Sequence, residues 1–334
     1  MQANRRHVIT HALAVGIATA TSARAQPRQA VSPSQWPARP VRLIVPYPPG
    51  GGTDFFARIA GGAMEKTLGQ PLIVENRPGA ATIIGAEAVA HAPPDGYTIL
   101  LGDTATYAAN KSLYRKLPYD PQKDFAPISL SGRFAIVLLV NTDRLKVMSV
   151  AELIAAAKRA PGAIDYASPG VGSPFHLATE MLAGAAGIKL NHVAYRGVAP
   201  ALQDLAAGVI GMMFVDFATA RSQLATPHIK AIAVASPGEF PGLPGVPSVA
   251  ASGFPGFEAW AWQGIVAPSG TAGDIIAKLH ASYVAAASSP EIVARLADAG
   301  IDVLQSTPEE FAAYMRIETE KWGAVVRAGN IRAD

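Results

Sequence analysis

Short apolar runs alternate along this chain with longer stretches whose apolar residues recur every three or four positions. "VRLIVPY" (41–47) predicts a strand, and residues 55–68, apolar at Phe56, Ile59, Ala60, Ala63 and Met64, predict a helix. "PLIVE" reads as a strand, "TIIGAEAVAHA" as a helix stopped by Pro93 and Pro94, "YTILLG" as a strand, and "TATYAANKSLY" as a helical or turn segment. The pattern restarts after the Pro-rich "YDPQKDFAPIS". Strands "FAIVLLVN", "IDYAS", "LNHVAY", "MMFVD" and "IKAIAVAS" are interleaved with helices "SVAELIAAAKRAPG", "PFHLATEMLAGAAG" and "APALQDLAAG". "PGEFPGLPGVPSVAASGFPGF" is dense in Pro and Gly and reads as a returning loop. "AWQGIVAPSG" and helices near 274–287 and 308–328 complete the chain. Such alternation predicts an α/β protein with mostly parallel sheets flanked by helices. At this length a single core gives way to two lobes.

Composition narrows the class. Arg5 and Arg6 precede an apolar stretch from 8 to 20, and Ala23-Arg24-Ala25 supplies a small-x-small site, so residues 1–25 read as a secretory signal cleaved after Ala25. The apolar stretch is too short to span a bilayer. "NRRHVI" loosely resembles a twin-arginine signal without its flanking residues, so the general secretory route is expected. The leader holds three of the 28 Lys and Arg and no acid, so the remainder balances the 25 Asp and Glu. With no basic block and no Arg-aromatic interleaving, nucleic acid is not an expected partner. Absence of cysteine excludes thiolate metal sites and thiol nucleophiles. Residues 26–36, rich in Pro, Ser and Gln, read as a disordered lead-in.

Ligands of parallel sheets sit outside the carboxyl ends of strands, where helices begin. Four turns there are rich in small residues: "PPGGGTD", "GDTAT", "SPGVGSPFH" and "YRGVAP". Glycine lets backbone approach a ligand, and first-turn N–H groups lack internal partners, which suits an anion. A multiply charged phosphate fits poorly. No Lys-Ser/Thr follows Gly50, Gly51 and Gly52, Phe55 stands where a dinucleotide fingerprint needs its third glycine, and Asp54 is close by. A carboxylate suits these donors better. Asp54 has the alternative of spending its oxygens on its own helix. Hydrolase readings lack support, because no GxSxG surrounds Ser168 or Ser173. With no HExxH and with His91, His176, His192, His228 and His280 scattered, neither a metal nor a cofactor is expected. Ser173 is an N-cap candidate followed by Pro174 at the first helical position. His176 reads either as a packed or capping histidine or as a donor to a cleft ligand. Tyr47 and Tyr195 at strand ends, Arg196, and Asp216 at the end of a buried-looking strand are each open to a structural or a ligand-contacting role.

Taken together, "WPARPVRLIVPYPPGGGTDFFAR", "QPLIVENRPGA", "GAEAVAHAPPDGYTILLG", "LYRKLPYDPQKDFAPIS", "YASPGVGSPFHLATEM", "HVAYRGVAPALQDLAAG" and "STPEEFAAYMR" resemble the substrate-binding receptors of tripartite tricarboxylate transporters, the Bug family of periplasmic proteins. The resemblance covers nearly all of the mature chain. It implies a two-lobed Venus-flytrap receptor, not an enzyme, that holds a small organic acid in its cleft and delivers it to a membrane transporter, or acts as a sensor without one. Lobe 1 is expected to comprise 37–131 and 262–334, and lobe 2 to comprise 132–261, in a monomer. By this resemblance Tyr47, Gly51, Thr53, Asp54, Ala81, Thr82, Ile83, Thr104, Ala105 and Thr106 face ligand from the first lobe. Ser168, Gly172, Ser173, His176, Tyr195 and Asp216 face it from the second. Two departures stand out. Thr82 and Ile83 replace the family's Gly and Asn, which is expected to narrow the pocket. Val215 and Asp216 stand where the family has Asp and Asn, which puts recognition of an amino acid's ammonium at that Asp in doubt. A rival reading is an exported α/β enzyme using Ser173 and His176.

Overall fold

The computed structural model describes residues 36–333. The expected leader and all of the lead-in before Trp36 lie outside the described residues. Strand β1 (Val41–Val45) ends at Pro46, which has no N–H for a sheet ladder. The chain turns through Gly50 at φ +89° and enters α1 (Gly52–Leu68), which stops at Gly69 in the left-handed region, its N–H on Glu65 O. Next come β2 (Leu72–Asn76), α2 (Ile83–Ala90), β3 (Thr98–Asp103), a π-helical turn (Ala105–Ala109) and α3 (Asn110–Leu113). The chain then forms β4 (Phe125–Asn141), α4 (Thr142–Leu145), α5 (Val150–Arg159), β5 (Asp165–Ser168), α6 (Pro174–Ala186), β6 (Asn191–Ala194) and α7 (Val198–Ala206). It finishes with β7 (Met212–Asp216), α8 (Phe217–Gln223), β8 (Ile229–Val234), β9 (Trp260–Pro268), α9 (Gly273–Ala287), α10 (Pro290–Ala297), β10 (Ile301–Val303) and α11 (Pro308–Ala328).

The strands lie in the order β2-β1-β3-β9-β4-β7-β5-β6, with β8 and β10 also paired to β4. The outer trios β2-β1-β3 and β6-β5-β7 are parallel, as the alternation predicts. Between them β4 and β9 run antiparallel, because the chain leaves the first half along one and returns along the other. β4 belongs to both sheets. Its residues 125–135 pair with β9, and its residues 136–140 pair with β7. It begins earlier than the apolar run at 134, inside the Pro-rich segment expected to be a break. Pro127 is accommodated where the β4–β9 register shifts between Pro127 and Ser129. Helices α4, α8 and α10 and strand β10 were not anticipated, being too short to show a periodicity.

Three apolar clusters fill the molecule. One lies between α1, α9 and the first sheet (Phe56, Met64, Leu43, Leu101, Tyr283), and another between α7, α8 and the second sheet (Leu205, Phe217, Val137, Met213). The third spans both halves, joining Tyr107, Trp262 and Phe311 to Leu177, Leu182 and Phe214. Helix α11 makes this possible, since it packs on β4, α3 and the π-helical turn and also on α6. In register on β3 and β9, Gly102 and Gly264 leave room for rings. A Cβ at Gly264 would overlap Phe311, and one at Gly102 would sit 2.5 Å from Tyr107. Tyr107 Oη accepts from Gly102 N–H (2.9 Å) and donates to Gly264 O (3.1 Å). Trp262 and Trp322 both donate indole N–H groups to Glu318 Oε2, at 2.8 and 2.7 Å, and Glu318 is 5% exposed. Replacing Glu318 by Leu strands two buried donors, so urea unfolding of Glu318→Leu is expected to show a loss of about 3 kcal/mol or more, with Glu318→Gln losing less.

Candidate functional site

The carboxyl ends of the first parallel trio form one wall. The α1 N-cap is Gly51, with no side-chain cap, and the first-turn N–H groups have no partner within the helix. Asp54 does not cap from outside. Its Oδ2 accepts from Gly50 N–H (2.9 Å) and Arg58 Nε (3.0 Å), and its Oδ1 from Arg58 Nη2 (2.9 Å) and Asn76 Nδ2 (3.0 Å). Burial pushes the Asp54 carboxyl up, but the bonds from Arg58, Gly50 and Asn76 outweigh it and hold its pKa below the usual range. Asp54 thus fixes the glycine loop and leaves the helix mouth to the backbone. Gly52 packs against the ring of Phe134 on β4, where a Cβ would lie 2.8 Å away.

Beside it starts α2, equally uncapped by a side chain. Gly85 lies against Pro46, so the starts of α1 and α2 both sit at the end of β1. Ala80, Ala81 and Thr82 lead in at φ +46°, +48° and +77°. Non-glycine residues held there cost of order 1–3 kcal/mol each and persist only where their surroundings enforce them. The enforcement is visible: Asn110 Nδ2 donates to Ala81 O (2.8 Å), and Thr82 Oγ1 lies 2.9 Å from Thr106 Oγ1. Thr82 and Ile83 are 2% and 9% exposed, and Ile83 joins the spanning core. Both side chains at the two departures are therefore packed into the protein.

At the end of β3 sits Asp103, 7% exposed. Tyr47 Oη donates to its Oδ2 (2.5 Å), and Thr106 N–H and Oγ1 meet its Oδ1 at 3.0 and 2.8 Å. Burial pushes the Asp103 carboxyl up against the pull of these donors and of Ala105 N–H. No ion pair involves it among the described residues. Burial first, then the Asp103 charge, raises the Tyr47 hydroxyl well above its ordinary value. Tyr119 Oη closes the network on Thr106 O (2.8 Å). Thr104 bonds the β9 backbone through Trp262 N–H (3.2 Å), and Ala105 is 3% exposed, so both are parts of the wall's interior.

The second half offers the ends of β5, β6 and β7. Ser173 caps α6, its Oγ accepting His176 N–H (3.2 Å), while the His176 ring Nδ1 accepts Gly172 N–H (3.0 Å). In its neutral form His176 then carries its proton on Nε2. The Ser173 hydroxyl and the His176 ring make no contact that would pair a nucleophile with a base. Ser168 Oγ instead lies 2.7 Å from His192 Nε2 and also meets Gly170. The rings of Tyr166, His192 and His176 stack, with centroids 4.9 Å and 3.9 Å apart in succession. Burial lowers His192 to about 4, and burial plus the neighbouring His192 lowers His176 to about 3. Tyr195 Oη donates to Asp204 Oδ2 (2.6 Å), and Asp216 caps α8 through Thr219 N–H (2.9 Å). Burial raises the Asp216 carboxyl against the Thr219 bonds. Gly172 reaches across to the first half, where a Cβ would overlap Leu113 of α3.

The residues singled out from the sequence thus lie at the strand ends of the two parallel trios and in the turns and helix starts that follow. The side chains of Tyr47, Asp54, Thr106, Ser168, Ser173, Tyr195 and Asp216 all have partners within the protein. Sequence reasoning passed over Asp103, Asn110, Tyr119 and Phe134, and weighed His192 only as a metal ligand. For Asp103 a signal existed: an acid directly ends the apolar run "YTILLG".

A family model described as the tripartite tricarboxylate transporter family receptor matches residues 56–331. The chain belongs to that receptor family. It is 36% identical over 321 residues to Protein BugT of Bordetella pertussis, covering 96% of this chain and 97% of BugT. Among solved structures it is similar to an R. palustris protein with adipate (TM-score 0.82, 32% identity, 89% of this chain and 99% of that one). It is also similar to MatC of Rhodopseudomonas palustris with bound malate (TM-score 0.79, 33% identity, 87% and 100%). The expected two-lobed periplasmic-binding-protein fold and membership of a family of binding proteins, not enzymes, are thereby established.

In the receptor, both stacked histidines are neutral when folded and protonate near pH 6.5 when unfolded. Between pH 6.5 and about pH 4 the unfolded chain binds more protons, so their contribution falls as pH falls. The expected loss from pH 7 to pH 4.5 is on the order of 2–5 kcal/mol. Urea titrations at the two pH values test it, and His192→Phe, which keeps the stack without a titrating ring, is expected to shrink the difference.

Proposed function

We propose that this receptor captures a small organic carboxylate between its halves, with 37–131 and 262–334 forming one lobe and 132–261 the other. It then presents the ligand to the membrane subunits of a tripartite transporter. It does so as a periplasmic monomer, after export by its leader and cleavage behind Ala25. The observation that carries this reading is the pair of uncapped helix starts, α1 and α2, converging at the end of β1. Their first-turn amides have no partner within the helices, although Ile83 N–H bonds Ala80 O (3.1 Å), and the one nearby acid of the loop, Asp54, is neutralised by Arg58. The solved relatives named with adipate and malate support the carboxylate class. From the second half, the His176 Nε2–H is a further donor, as His176 Nδ1 is already taken by Gly172.

The magnitudes suffice. Micromolar affinity needs about 8 kcal/mol. Three or four hydrogen bonds to a charged carboxylate contribute roughly 1.5–3 kcal/mol each, and lobe closure over the ligand excludes water and strengthens them.

A thermal-shift screen of mono-, di- and tricarboxylates tests the proposal. A ligand at 100-fold excess over its Kd is expected to stabilise by about 2.7 kcal/mol. No shift with any carboxylate would sink the reading. Gly51→Pro offers a second check. Gly51 has φ −83°, close to proline's range, and nothing lies within 4 Å of a Cβ there. The substitution removes one amide from the mouth, so the unliganded Tm is expected to hold within about 3 °C while affinity drops about tenfold.

A further inference from the structure

Tyr47 has one hydroxyl proton, and the structure commits it. Its Oη lies 2.5 Å from Asp103 Oδ2, and among the described residues nothing donates a hydrogen bond back to it. Asp103 is held as an acceptor by every neighbour. Thr106 Oγ1 touches both Asp103 Oδ1 and Thr82 Oγ1, and its single proton belongs on the carboxylate, the shorter and charge-assisted contact. The N–H of Thr106 points at the same oxygen. The other ionisable groups whose charge couples to this carboxylate are the hydroxyls of Tyr107 and Tyr119, both raised by burial. The Tyr47 oxygen at the end of β1 is therefore an acceptor. It offers a lone pair, and it has no proton to give to a carboxylate.

We infer that Tyr47, held by Asp103, is a specificity-determining acceptor that selects carboxylates bearing a hydroxyl or ammonium donor close to the acid group. This rests on the carboxylate-receptor reading. The acid is held by the amides of α1 and α2, and the neighbouring donor satisfies the Tyr47 oxygen. A plain acid presents a C–H at that point and leaves the tyrosine oxygen desolvated and unpaired. Asp103 is a positioning residue, and its buried negative charge also separates the two donor classes, attracting an ammonium more than a hydroxyl. Asp216, the acid nearest to the family's expected ammonium position, is occupied in capping α8 and does not duplicate the role.

Isothermal titration of the full mature chain with matched sets tests the inference: propionate, lactate and alanine, then succinate, malate and aspartate. At least one hydroxy or amino member is expected to bind about tenfold or more tighter than its plain parent. Tyr47→Phe is expected to bring that ratio to near unity. Asp103→Asn, which frees the tyrosine proton, should shift the ratio toward the plain acid, and shift it further in the amino set than in the hydroxy set. A purely structural role for Asp103 would weaken all members alike. Should Asp103→Asn not fold, Tyr47→Phe alone decides. If the plain acids bind wild type as tightly as their substituted analogues, or if the ratio survives Tyr47→Phe, the inference is overturned while the receptor reading stands. If no member of either set binds, and the wider carboxylate screen is equally blank, both fall together.

Discussion

β4 must satisfy its backbone hydrogen bonds in two sheets at once. Its first part is laddered to β9 and β10, and its last part to β7 and β8, without interruption by a loop. The partner changes around residues 135 and 136, from β9 to β7. Phe134 packs on Gly52 at the start of α1, and Ile136 is in register with Asp216 at the start of α8. One shared strand therefore sets how the two sheets are joined. Arg133 reinforces the crossing, lying 3.9 Å over the ring of Trp260 and 3.0 Å from Asp302.

Within that frame the helix starts are treated unequally. α6 and α8 satisfy first-turn donors with Ser173 and Asp216, whereas α1, α2 and α7 have no side-chain cap. Gly51 and Gly197 at the N-caps of α1 and α7 cost only about 0.3 kcal/mol relative to a capping side chain. The left-handed run Ala80, Ala81 and Thr82 adds a further local cost. Helices α9 and α10 also lack a side-chain cap, so it is the left-handed run before α2 that sets the first sheet's end apart.

The carboxylates divide by partner. Asp54 is tied to Arg58 and is electrically neutralised, while Asp103 is surrounded by hydroxyls and amides and keeps its charge character inside the wall. A buried acid is thus retained beside the starts of α1 and α2, and it accepts the Tyr47 hydroxyl proton. In the second half, the stacked Tyr166, His192 and His176 position the Gly172 loop through a ring nitrogen instead of a charge.

The alternation of apolar runs and helical periods by itself determined the mostly parallel α/β character, the longer helices and the turns where small residues precede helices. These are local properties, set by side-chain spacing and turn chemistry within a few residues. The small-residue motifs taken together also carried the family resemblance. Other features depended on contacts between residues far apart in the chain. The extension of β4 through Pro127 is one, decided by pairing with a strand more than a hundred residues away. The spanning core built by α11 is another. The inward turn of Thr82 and the commitment of Tyr47 to Asp103 were equally invisible, because a hydroxyl's direction is set by its partner 24 or 56 residues distant. Sequence marks where a polar group is placed, and only the packed structure settles whether it gives or receives a proton.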